Sequence, residues 1–352
     1  MPQFRIELRS DTKTTPTPDM RSAMADAAVG DDQGGEDPTV AELEEYAAQL
    51  LGKEAGLFVA SGTMGNLISL LTLAQRGDSL LVDPVSHVTL AEAGGFAALA
   101  GCNVIPIESP GFLTAEAIEP HLVPVTTHSP NPAIIWTENT HNRRGGVAWG
   151  PEVMGELTAL AAQRSLRLHI DGARIFNAAA ALDVPVADLA AGADTVQFCL
   201  TKGLGAPFGS LVVGAHDLIQ RARRTRQMVG GGMRQAGVMA AAGMVALRDG
   251  PSRLADDHRR ARYLGGIIED LPGMALASPV YSNLIFARCN SEEINFERFV
   301  DRANEQGLGI GMPFGGMMRM VTHHQVSDAD IEEAADIMIA AAEFATVPVT
   351  TN

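Results

Sequence analysis

Between residues 56 and 214 short apolar runs alternate with helical segments, and this alternation constrains the fold more than any other feature of the chain. The runs are 56–60, 79–82, 103–107, 132–136, 167–170, 195–200 and 210–213. Each has strand length and strand residues, and the segments between them carry apolar residues at helical spacing. Strand and helix in alternation predict a doubly wound α/β layer with a mostly parallel sheet. In such sheets ligands bind beyond the carboxyl ends of the strands. The polar residues that follow each run are therefore the candidates for function.

Two strand ends carry the strongest chemistry. The run 195–200 is followed by Thr201, Lys202 and a loop rich in Gly and Pro. A lysine there keeps its stem in apolar surroundings and its amine at the sheet rim, where desolvation favours the neutral, nucleophilic form. The run 167–170 ends in Asp171, followed by Gly172, Ala173 and Arg174. Taken singly, Lys202 reads equally as a surface turn residue, and Asp171 reads first as a cap. Together they fit a pyridoxal phosphate (PLP) site: the lysine forms the Schiff base, and the carboxylate keeps the pyridine nitrogen protonated.

Other loops add to this. Ser61-Gly62-Thr63-Met64-Gly65-Asn66 follows a strand and opens a helix, which makes an anion site suited to phosphate. His87 follows the run 79–82 and offers a ring face to a cofactor. The stretch 138–146 places Glu138, Asn139, His141 and two arginines before a double glycine. Arg319 stands among apolar residues in a strand at 318–322, where a guanidinium needs a carboxylate, from the protein or from a substrate. No G-x-G-x-x-G follows a strand, which disfavours a dinucleotide site. The absence of H-E-x-x-H, C-x-x-C and G-x-S-x-G disfavours zinc and a serine elbow.

Charge narrows the partners. A formal net charge of -16 and a pI near 4.9 argue against nucleic acid and against polybasic membrane contact. The arginine-rich helix at 216–228 is read as a solvated or subunit-interface face. The odd, scattered cysteines Cys102, Cys199 and Cys289 point to a reducing compartment, and the N-terminus lacks a signal-peptide core, so a cytoplasmic protein is expected. Further helices are expected at 20–28, 39–51, 91–99, 114–122, 151–163, 236–247 and 251–270. Residues 271–345 read as strand, helix, strand, helix. This gives a large domain, 1–250, and a small C-terminal α+β domain, 251–352.

The motifs agree in order and spacing. Gly35-Glu36-Asp37-Pro38-Thr39, Ser61 to Asn66, Glu138 to Arg143, His169 to Asn177 and Gly230 to Gly237 together resemble the low-specificity L-threonine aldolases, PLP enzymes of fold type I. The resemblance runs nearly the whole chain. It implies a seven-stranded, mostly parallel sheet in the large domain, and a homotetramer whose active sites are shared between subunits. It also implies roles: Lys202 holds the cofactor, Asp171 faces its ring nitrogen, and His87 stacks on the ring. Gly62 and Thr63 hold the phosphate, helped by Arg234 from a neighbouring subunit. Ser10, Arg174 and Arg319 hold the substrate carboxylate, and His141 with His87 lies near the substrate hydroxyl. The implied reaction is cleavage of threonine, allo-threonine or a related β-hydroxy-α-amino acid to glycine and an aldehyde. β-Elimination on the same scaffold is the alternative. Gly34 replaces a usual tyrosine, Val88 to Ala91 replace an aromatic cluster, Gln227 replaces a basic residue, and Arg144 replaces a serine. The lost bulk predicts a wider pocket for larger or more polar aldehydes; Arg144 reads first as a solvated loop arginine and otherwise as a partner for an acidic side chain.

Overall fold

The computed structural model describes residues 4–124, 126–291, 294–311 and 316–346. It groups into two compact units: Thr15–Pro251, and the chain up to Thr14 together with the chain from Ser252 onward.

The first strand, β1 (Ile6–Glu7), belongs to the smaller unit. The larger unit holds β2 (Ala55–Val59), β3 (Ser79–Val82), β4 (Asn103–Pro106), β5 (Pro132–Glu138), β6 (Arg167–Asp171), β7 (Thr195–Cys199) and β8 (Ser210–Gly214). They form a seven-stranded sheet in the order β2-β8-β7-β6-β5-β3-β4. Only β8 runs against its neighbours, β2 and β7; the other pairs are parallel. The alternation therefore folds as expected. Every residue of β7 is buried, as are Leu168 to Asp171 of β6. Helices cover both faces of a parallel sheet, so its strands read as continuous apolar runs.

The direction of each strand has a positional result. The carboxyl ends of β2, β3, β5, β6 and β7 share one edge, and Ser61, Asp83, Glu138, Asp171 and Thr201 lie at or just beyond it. At the opposite edge, Lys53 Nζ donates to the Ala193 carbonyl over 2.7 Å, and Arg167 pairs with Asp194 at 2.8 Å.

Four of the expected helices differ. Residues 91–99 do not make one helix: Ala93 and Gly94 take left-handed φ of 53° and 70°, which separates His87–Leu90 from Gly95–Ala98. The helix expected at 114–122 is α only over Ala115–Ile118 and tightens to a 3-10 turn at Glu119–His121, where Pro120 has no N–H for the ladder. The two helices expected on either side of residue 251 are one, Gly237–Asp270, with Pro251 inside it. Leu247 and Leu254 are both fully buried on either side of the proline, so packing overrides the lost hydrogen bond.

The arginine-rich helix His216–Met228 is a further correction. It is not simply a solvated face. Arg226 is buried, donating from Nη1 to the Phe58 carbonyl at 2.8 Å and from Nη2 to Asp32 Oδ2 at 2.7 Å. Both side chains of that pair are 2% exposed. Removing one partner leaves a buried charge without its counter-ion. Asp32→Ala is therefore expected to lower stability by about 3–5 kcal/mol, read as a fall in the urea midpoint at neutral pH.

In the smaller unit, β9 (Met274–Leu276), β10 (Leu284–Cys289) and β12 (Met317–Val321) form an antiparallel sheet in the order β12-β10-β9, and β11 (Leu308–Gly309) pairs parallel with β1. Helices Phe296–Glu305 and Asp328–Ala345 contribute Phe299, Val300, Ile331 and Met338 to its core. The second helix starts at a capping box made by Ser327 and Asp330.

Candidate active site

At the carboxyl edge of the large sheet lies a cavity of about 150 Å³. Gly62, Thr63, His87, Asp171 and Lys202 line it, together with Asn66 and Cys199. Lys202 is half-buried in the turn between β7 and β8, which closes through Gly205 N–H to the Lys202 carbonyl at 2.8 Å and Ala206 N–H to the Leu200 carbonyl at 2.9 Å. Ser61 caps helix Gly62–Leu73 by accepting from Met64 N–H at 3.2 Å, so the positive end of that helix opens on the cavity. Position 62 has no room for a side chain: a Cβ there would sit 2.8 Å from Cys199 Sγ and 3.2 Å from Gln197 Nε2.

Asp171 ends β6 at 3% exposure. Its Oδ1 accepts from Ala173 N–H at 3.1 Å and its Oδ2 from the Asn66 amide at 2.8 Å. The same amide nitrogen donates to Glu92 Oε1 at 2.7 Å, and Glu92 Oε1 meets His87 Nδ1 at 2.7 Å. On its other side, Asn66 Oδ1 faces His169 Nε2 at 3.3 Å, and His169 Nδ1 faces Thr195 Oγ1 at 2.8 Å. His169 packs on Trp136 with ring centroids 3.9 Å apart, and burial pushes its pKa down to about 3, so it is a neutral link. Burial raises the Glu92 carboxyl, helped by the charge of Asp171 and opposed by the bonds from His87 and Asn66. His87, Glu92 and Asp171 offer ligand atoms within 4.8 Å of one another. The Asn66 amide already bridges the two carboxylates and Glu92 already holds His87, so these atoms are engaged as a hydrogen-bond network.

His141 stands behind this wall. Glu138 Oε1 accepts the backbone N–H of His87, and Glu138 Oε2 approaches His141 Nδ1 to 3.0 Å without hydrogen-bond alignment. Among the described residues, neither ring nitrogen of His141, nor Glu138 Oε2, has a hydrogen-bond partner, although all are buried. Burial lowers the His141 pKa to about 4, and burial together with the Asp171 charge raises Glu138 well above the usual carboxylate range. Buried polar atoms left this way are costly unless something else meets them. Nearby, Arg144 grips Asp83 through Nε at 3.1 Å and Nη2 at 3.2 Å, and reaches Glu108 at 3.2 Å. Burial works to raise Asp83, but bonds from Ser109 and Arg144 hold it below its usual value. Arg144 is thus neither a solvated loop residue nor a cation waiting for a substrate, which corrects the expectation for it.

The other expected residues are not among those lining this cavity. Arg174 is 6% exposed at the start of helix Ile175–Leu182. The side chain of Arg234 is 62% exposed and pairs with Asp31 at 2.7 Å in its own chain. Ser10 and Arg319 belong to the smaller unit: Ser10 is buried and caps the turn Asp11–Lys13, and Arg319 on β12 donates to the Arg9 carbonyl at 3.4 Å. Asn66 and Glu92 had no assigned role in the sequence. Asn66 closes the Ser61–Asn66 stretch that reads as an anion site, whereas Glu92 carries no local pattern.

The residues present fit PLP. A primary amine, a carboxylate and a helix N-terminus converge on one cavity, and the Asp171 carboxylate there suits a cation such as a protonated ring nitrogen. Residues 7–291 match the model of the β-eliminating lyase family. Low-specificity L-threonine aldolase 1 of Arabidopsis thaliana is 39% identical, over 93% of this chain and 93% of its own. The low specificity L-threonine aldolase of Escherichia coli K12 is 38% identical, over 94% of this chain and 97% of its own. The solved threonine aldolase of Leishmania major superposes with a TM-score of 0.83 at 21% identity, covering 96% of this chain and 99% of that one, which shows the shared fold. The chain belongs to the β-eliminating lyase family and, within it, to the low-specificity L-threonine aldolases, and it is a PLP-dependent lyase.

Proposed function

We propose that the enzyme cleaves threonine, allo-threonine and related β-hydroxy-α-amino acids between Cα and Cβ, releasing glycine and an aldehyde. The observation that carries this is the convergence of Lys202, Asp171, His87 and the N-terminus of helix Gly62–Leu73 on one cavity. Bound PLP supplies an electron sink for the pair left when the Cα–Cβ bond breaks. The chain's residues do the rest. The Lys202 amine attaches the cofactor, and Asp171 holds a proton on its ring nitrogen. The free N–H groups at Gly62 and Thr63 receive the phosphate. His87 would stack on the ring of the bound cofactor. His87 takes up the proton of the substrate hydroxyl, with His141 near it directly or through water; burial keeps the His141 imidazole neutral. Arg174, and by family resemblance Ser10 and Arg319, bind the substrate carboxylate and so set the torsion about Cα. Arg234 serves the phosphate of a neighbouring subunit in a homotetramer. A cytoplasmic location is supported by the three unpaired cysteines, and no helix among the described residues is long and apolar enough to cross a membrane.

The test is aldehyde release over threonine, allo-threonine, phenylserine and 3-hydroxyaspartate. Glycine with aldehyde is expected from the neutral substrates, with phenylserine accepted. Arg144 is held by Asp83 and Glu108, so 3-hydroxyaspartate is expected to be the poorest of the set. Ammonia with a keto acid in place of glycine would refute the aldol reading in favour of β-elimination.

A further inference from the structure

His87 is half-exposed at the cavity, and one side of its ring is committed: Nδ1 lies 2.7 Å from Oε1 of Glu92. Glu92 is 7% exposed and cannot swing into water to escape that contact. It is also pinned from behind, because the same Oε1 accepts from Asn66 Nδ2 at 2.7 Å. The orientation of that amide is determined by its surroundings. Its nitrogen sits between the Glu92 and Asp171 carboxylates, and turning it over would set its oxygen against two carboxylate oxygens. Its oxygen meets His169 Nε2, so His169 carries its hydrogen there and accepts from Thr195 at Nδ1. Donors and acceptors thus alternate without conflict from Thr195 through His169 and Asn66 to Glu92. Glu92 Oε1 already serves as the acceptor for Asn66, so the chain ends by requiring a hydrogen on His87 Nδ1.

We propose that Glu92, held by Asn66, is a positioning residue that fixes His87 in its Nδ1–H tautomer and leaves Nε2 with a lone pair for the substrate hydroxyl proton. The same contact stabilises the imidazolium once the proton has moved. This rests on the reading of His87 as a proton acceptor given above. Besides Glu92, the ionisable groups around His87 are Asp171 and Lys202, which line the same cavity, and Glu138, which accepts the His87 backbone N–H.

The experiment uses full-length protein with ¹⁵N-labelled histidine, with His87 assigned by its loss in His87→Gln. Long-range ¹H–¹⁵N spectra of the wild type should show His87 protonated at Nδ1 and bare at Nε2. Glu92→Ala should move it to the Nε2–H form. Glu92→Gln still offers an acceptor oxygen and should keep the wild-type tautomer. In the cofactor-loaded enzymes, both variants should lower kcat about tenfold to a hundredfold with KM within twofold. In Glu92→Gln the acid limb of the kcat profile should shift to lower pH by about one unit or more, because the imidazolium has lost its counter-ion. A wild-type His87 protonated at Nε2, or a Glu92→Ala protein with unchanged tautomer and pH profile, overturns the proposal. Wild-type protein that releases no aldehyde yet shows the Nδ1–H tautomer would instead refute the function and leave the positioning assignment standing.

Discussion

Lys202→Ala is expected to abolish aldehyde release, with a loss of at least about a thousandfold, and to remove the visible absorbance of the bound cofactor. The side chain is half-buried in a turn fixed by the Gly205 and Ala206 hydrogen bonds, and no other lysine lines the cavity. In the proposed function the amine both anchors the cofactor and moves protons, and acid–base groups alone contribute about 10²–10⁴-fold. The turn keeps its backbone bonds in the variant, so its melting temperature should stay within a few degrees of wild type when both lack cofactor. Absorbance scans, thermal melts and the aldehyde assay on one preparation decide the matter. Retained colour would show that the cofactor is held elsewhere.

The second large effect is expected from Asp171→Asn, which keeps the size of the side chain and removes its charge. Asp171 closes β6 and takes hydrogen bonds from Asn66 and Ala173. With asparagine there, a proton on the cofactor's ring nitrogen has no carboxylate opposite it. Turnover should fall about 10²–10³-fold, the scale seen when one fixed electrostatic partner of a reacting centre is removed. The rise in melting temperature on adding PLP should shrink as well, since binding to the native state alone stabilises it in proportion to affinity. Equal turnover in variant and wild type would show that the ring nitrogen is not controlled from this position.

Much of this site is legible in the chain because it sits where strands stop. Lys202, Asp171, His87 and the Ser61–Asn66 loop each follow an apolar run, and the direction of the parallel strands brings them to one edge without further information. Glu92 is different. It immediately precedes a break at Ala93 and Gly94 that no helical spacing reveals, and its partners are 26 and five residues away in sequence, at Asn66 and His87. Arg226 and Arg144 show the same limit. A basic residue in a helix or loop reads as solvated until tertiary packing supplies Asp32 or Asp83 beside it. Pro251 is the reverse case, a strong local stop signal overruled by buried leucines on both sides.

The division between the two ends of the large sheet gives the fold a separable design. Reactive groups cluster at the carboxyl ends, whereas Lys53, Arg167 and Asp194 tie the amino ends together. An engineer can therefore vary the connections after β3 and β5 at positions other than His87, Glu92 and His141 to admit new aldehydes while leaving every ladder intact. Substitutions meant to harden the same enzyme against heat belong at the other end of those strands, so the two campaigns can proceed in parallel and be merged.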